Sequence, residues 1–125
     1  MTKLISITSD LFFGMKIESA AKIVELDFIW ISEPDQIDKQ WAEIAALDQT
    51  QLTVMVDLAT SLSWRDLFAK KDIQANQLWI AYGAHVDNAA LDEARELGID
   101  QVMPRSKFSK TLHILLAELS KKEAP

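Results

Sequence analysis

Hydrophobic residues gather in five short runs: Leu4–Ile7, Phe28–Ile31, Leu52–Val56, Leu78–Tyr82 and Gln101–Met103. They begin at residues 4, 28, 52, 78 and 101 and are rich in β-branched and aromatic residues. Nearly unbroken apolar character over four or five residues is the pattern of strands buried on both faces of a parallel sheet. Between the runs the period lengthens to that of a helix. Residues 11–25 set Phe12, Met15, Ala20, Ile23 and Val24 near one stripe. Residues 34–47 repeat at Ile37, Trp41, Ile44 and Ala45, with Pro34 in the first turn, where a missing N–H costs nothing. A weaker pattern over Ser63–Lys71 offers Trp64, Leu67 and Phe68, with Ser63 as a cap. Residues 86–97 repeat at Ala90, Leu91, Ala94 and Leu97, and Gly98 stands where a helix end favours a left-handed residue. Residues 108–119 repeat at Phe108, Leu112, Leu115, Leu116 and Leu119.

Five strands alternating with five helices read as (βα)5. Crossovers between parallel strands are right-handed, so the chain is expected to wind a three-layer sandwich with helices on both faces of the sheet. At this length the common solution is flavodoxin-like, with strand order 2-1-3-4-5. A solenoid is the rival for a period near 24, but no internal repeat or leucine-rich consensus supports it. The whole of 1–125 is expected to be a single domain, with a frayed tail from Lys121.

Composition removes several function classes. The 125 residues carry 13 Lys+Arg against 19 Asp+Glu, a net charge of −6, and no basic cluster. That argues against nucleic acid and anionic membrane as partners. There is no cysteine, hence no disulfide, thiolate nucleophile or cysteine-based zinc site. The opening MTKLISITSD lacks a signal-peptide apolar stretch, and a cytoplasmic location is expected. With Gly14, Gly83 and Gly98 the only glycines, no glycine-rich phosphate loop exists.

In such a sheet, ligands sit beyond the carboxyl ends of the strands. The residues there are Thr8, Ser9 and Asp10; Asp57; Gly83, Ala84 and His85; and Pro104, Arg105 and Ser106. Each has an ordinary reading beside a functional one. Asp10 suits a helix cap, His85 a solvated loop, and Arg105 a plain surface position. His113 and the four tryptophans (Trp30, Trp41, Trp64 and Trp79) read as structural. Asp57 is harder to explain, because a carboxylate directly after LTVMV is costly unless paired, hydrated or bound to a cation.

Asp10, Asp57 after LTVMV, the turn Gly98–Asp100 and the overall spacing resemble the CheY-like receiver domain of bacterial response regulators. In that two-component family, the aspartate after the third strand is phosphorylated within a phosphorelay by a histidine kinase. An acidic pair helps to hold Mg²⁺, a Thr or Ser after the fourth strand bonds the phosphoryl group, and a Lys followed by Pro pairs with it. Here Asp57 matches the phosphoacceptor position and Asp10 one member of the acidic pair. Gly83 stands at the Thr/Ser switch position, Arg105 at the Lys, Ser106 at the Pro, and Val102 where many receivers carry a switching Tyr or Phe. The nucleophile position survives while its supporting groups have changed, the pattern of a pseudo-receiver.

The expectation is therefore a signalling module acting through a protein partner, either a histidine kinase or an output protein. Residues 86–119 form its contact face by resemblance, and self-association is the other route. It is expected not to be an enzyme and to require no cofactor. Mg²⁺ would bind only weakly at Asp10 and Asp57, having lost one of three acids. Arg105 is expected to pair with Asp57 or Asp10 in place of a cation. Two alternatives stand: a single-domain regulator phosphorylated on Asp57, and a sensor in which Lys16, His85 and Arg105 cradle a small anion.

Overall fold

The computed structural model describes residues 2–33, 36, 39–40, 51–60, 64–69 and 77–123. Five strands are present: β1 (Thr2–Ile7), β2 (Asp27–Ile31), β3 (Gln51–Asp57), β4 (Gln77–Gly83) and β5 (Gln101–Pro104). The helices are α1 (Leu11–Ile23), α2 (Trp64–Ala69), α3 (Asn88–Glu96) and α4 (Arg105–Glu123). The helix expected over 34–47 and the cap at Ser63 lie almost wholly or wholly outside the described residues. All strand pairs are parallel, in the order β2-β1-β3-β4-β5. This is the flavodoxin-like order expected from the rhythm of the sequence.

The period of two along each strand divides the core into two layers. On one face Ile5, Ile7, Val54, Val56, Trp79 and Ala81 meet Trp64 and Phe68 of α2 and Ala94 of α3. On the other, Leu4, Met55, Ile80 and Tyr82 meet Ile17 and Ala21 of α1 and Phe108, Leu112, Leu116 and Leu119 of α4. Trp79 and Phe68 pack edge to face, ring centres 5.1 Å apart.

Element ends follow local chemistry. Asp10 caps α1 by accepting from the Phe13 N–H at 3.1 Å. Asp87 caps α3 in the same way through the Ala90 N–H. At its far end α3 closes with the Ile99 N–H on the Ala94 carbonyl, and Gly98 takes φ +92°, the left-handed conformation expected of it. Arg105 opens α4 directly after β5, three residues earlier than the periodicity indicates.

One expected packing stripe is corrected. The face of α1 turned to the sheet is Gly14, Ile17 and Ala21, joined by Phe13, Ala20 and Val24. Phe12, Met15 and Ile23 point outward instead. Trp30 decides the rotation: a Cβ on residue 14 would stand 2.1 Å from its indole ring, so only glycine lets α1 and β2 approach so closely.

Candidate functional site

The parallel register brings the strand ends to one rim. Ile7 pairs with Ile31 and Val56, Asp57 with Tyr82, and Gly83 with Pro104. Alternation along β3 turns Asp57 to the side of Met55, toward α1 and α4.

Asp57 is 2% exposed, and both of its oxygens are engaged. Oδ1 accepts from Arg105 Nη2 at 3.1 Å and from the Ala59 N–H at 2.9 Å. Oδ2 accepts from the Thr8 hydroxyl at 2.8 Å. The carboxylate is thus compensated by one guanidinium and two neutral donors, which is what a buried charge needs to be tolerated. Arg105 is held in turn. Its guanidinium lies 5.4 Å from the Phe13 ring centre. Phe13, Tyr82 and Phe108 form a stack beneath it, with ring centres 4.9 Å apart for Phe13–Tyr82 and 4.2 Å for Tyr82–Phe108.

Asp10 stands apart from the ion pair. Its carboxylate caps α1, and its own N–H donates to Thr8 Oγ1 at 3.0 Å. Asp10 and Asp57 are therefore linked through Thr8, and Arg105 pairs with Asp57. Thr8 also anchors the edge strand, because its carbonyl accepts from Trp30 Nε1 at 3.1 Å. Tyr82 is fully buried beside the site. Burial first, and then the charge of Asp57, push its hydroxyl far above the usual tyrosine pKa, so it stays protonated. That hydroxyl lies beside Thr8 without a well-formed hydrogen bond.

The remaining candidates disperse. Lys16 donates to the Ser109 hydroxyl, joining α1 to α4. His85 is exposed in the turn before α3, and no contact among the described residues joins it to Arg105 or Lys16. Gly83 is buried, and a Cβ there would meet Leu58 at 3.3 Å and Leu91 at 3.6 Å, both apolar neighbours. Val102 is half-buried against the α2–α3 layer. Thr8, placed at the rim by its strand-end position but given no role, and Tyr82 are the residues whose part in the site the sequence did not reveal. A threonine at a strand end is commonplace, and Tyr82 reads as one more apolar strand residue.

A divalent cation at Asp57 and Asp10 would have to compete with contacts these carboxylates already make. Mg²⁺ asks for near-octahedral oxygen ligation, whereas both Asp57 oxygens already accept hydrogen bonds and Asp10 Oδ1 caps α1. Among the described residues, no three Asp, Glu or His side chains converge. No helix among the described residues is long and apolar enough to cross a membrane.

No family model and no curated protein matches the chain by sequence. Solved structures do match its fold. A response regulator receiver domain protein from Clostridium thermocellum superposes with a TM-score of 0.73 at 14% identity, over 98% of this chain and 97% of that one. A response regulator receiver domain from Rhodospirillum rubrum gives a TM-score of 0.69 at 14% identity, over 98% and 96%. This chain therefore shares the CheY-like fold of these receiver domains.

Proposed function

We propose that this protein is a receiver-like signalling module in which Arg105 holds the acceptor-position aspartate, so that ordinary aspartyl phosphorylation does not switch it. The observation that carries the reading is the Arg105–Asp57 ion pair, 3.1 Å long with Asp57 almost wholly buried. For a carboxylate to attack a phosphoryl donor, it must present a free oxygen lone pair, and the incoming oxygens must be neutralised. Here the neutralising cation already spends its hydrogen bond on the nucleophile, and the Ala59 N–H and Thr8 hydroxyl engage it further, leaving one lone-pair site, on Oδ2. Gly83 supplies no hydroxyl to draw the β4 loop toward a phosphoryl group. A cation at Asp10 and Asp57 would first have to displace Arg105.

The module is then a binding protein rather than an enzyme, with residues 86–119 as its face toward a kinase or output protein. Val86, Leu97 and Ile114 supply exposed apolar contacts there. An anion-sensing role has less support, because Arg105 and Lys16 are committed to other partners and His85 stands apart. The test is to incubate the protein with a small acyl-phosphate donor and Mg²⁺ and measure the intact mass. The expected result is no phosphoryl adduct, and a stoichiometric adduct on Asp57 overturns the reading in favour of a phosphorylatable regulator.

A further inference from the structure

We propose that the outward face of α1 is a self-association surface that seats α1 of a second copy of this chain. The inference does not depend on the proposed signalling role. It begins from a helix whose apolar residues exceed what its own core uses. Ile17, Ala21 and Gly14 face the sheet. On the opposite side stand Phe12, 90% exposed, Met15, 60% exposed, and Ile23, 82% exposed, with Leu11, 67% exposed, at the edge. At 3.6 residues per turn, positions 12, 15, 19 and 23 fall in an arc of about 80°. This is a second stripe, where a surface helix ordinarily carries polar residues.

The size and charge of the patch select the occupant. The four side chains expose roughly 500 Å² of largely apolar surface, at the upper end of what a monomer leaves uncovered. With a polar rim that makes up about a third of the contact, such a core corresponds to roughly 800 Å² per partner, the size of a specific interface. The charged residues around the stripe are Lys16, Lys22, Glu18 and Glu25, two of each sign, on a chain whose net charge is −6. Two copies meeting here therefore bring together patches of zero net charge, although the chain as a whole carries −6. A two-fold contact must also be self-complementary. In two antiparallel α1 helices, Glu18 and Lys22, 3.9 Å apart within one copy, run in opposite order and can exchange partners across the interface. Ser19, small and near the middle of the stripe, lets the helices approach. The exposed apolar residues of 86–119, by contrast, are scattered: Val86 before α3, Leu97 at its end and Ile114 on α4.

Sedimentation equilibrium from micromolar to millimolar protein tests this. The expected result is a rise from the mass of one chain to that of two. Phe12→Asp combined with Ile23→Asp, which sets like charges against each other where 12 of one copy faces 23 of the other, should weaken association at least tenfold while leaving the far-UV circular dichroism unchanged, and Ile114→Glu should leave association intact. Because the chain has no cysteine, Ser19→Cys gives a single thiol that should form a covalent dimer on mild oxidation, and should fail to do so in the Phe12→Asp background. A chain monomeric to millimolar concentration overturns the proposal and gives the stripe to a different protein. So does association that survives the double substitution, or that Ile114→Glu abolishes.

Discussion

Breaking the Arg105–Asp57 pair should cost more from the arginine side, which leaves a buried carboxylate behind, than from the aspartate side, which leaves a partly solvated guanidinium. In Arg105→Gln the guanidinium leaves, but a carboxyl group with only 3% of its side chain exposed stays behind, with the Thr8 hydroxyl and the Ala59 N–H as its donors. Losing one charge-assisted hydrogen bond of this kind costs about 2 kcal/mol. The larger penalty of a wholly buried broken pair does not apply, because the Arg105 side chain is 34% exposed and water reaches it. Asp57→Asn keeps an acceptor for the Ala59 N–H and leaves Arg105 partly solvated, so about 1 kcal/mol is expected. The double variant removes both charges together, and the coupling energy of the cycle should be about 1.5 kcal/mol. Urea unfolding followed by tryptophan fluorescence and far-UV circular dichroism measures all four proteins, with coincident transitions confirming two-state behaviour. A coupling below about 0.3 kcal/mol, at the bottom of the roughly 0.2–1 kcal/mol seen for exposed surface pairs, would refute the reasoning.

Three further outcomes follow from the same geometry. Tyr82 is the only tyrosine, so phenolate absorbance reports it alone. Its raised pKa means that the unfolded chain releases this proton from about pH 10 while the folded chain retains it, so stability falls as pH climbs past that point. Phenolate should therefore appear only together with alkaline unfolding, and a smooth titration near pH 10 in the folded protein would contradict the burial. Gly14→Ala drives a Cβ into the Trp30 ring and displaces the indole from the Thr8 carbonyl; a loss of about 2 kcal/mol is expected, with a changed near-UV spectrum. Thr8→Val removes the donor to Asp57 Oδ2 and should cost about 1–2 kcal/mol, whereas Thr8→Ser should retain most of the stability; equal losses would show that the methyl, not the hydroxyl, matters.

The sheet was legible because its three central strands, β1, β3 and β4, are almost wholly buried while β2 and β5 at the edges are only partly so, and burial on both faces leaves the same mark in any parallel arrangement: runs such as LTVMV closed by a residue of different character. From those ends it followed that Asp57 and Arg105 share a rim, and the joint departures at Gly83, Arg105 and Ser106 pointed to an altered site. The rotation of α1 was not legible. Apolar side chains at 11, 12, 13, 15, 17, 20, 21, 23 and 24 circle nearly the whole helix, so periodicity alone offers two faces. What selects the buried one is a contact between Gly14 and Trp30, distant in sequence. The orientation of His85 was hidden for a related reason: following a strand end places a backbone at the rim, but the turn that comes next leaves its side chain exposed. Thr8 could be placed at the rim but given no role there, because its importance lies in three simultaneous partners, Asp57, Asp10 and Trp30, and only tertiary structure assembles them.

The claim that a guanidinium occupies the cation's place is tested most directly by titrating Mg²⁺ into the folded protein while following the backbone amide resonances of Thr8, Asp10 and Ala59. With Asp57 already held by Arg105, these signals should stay fixed up to millimolar Mg²⁺ in wild type and begin to move in Arg105→Gln. A saturable shift of the same three resonances in the wild-type protein would contradict the account.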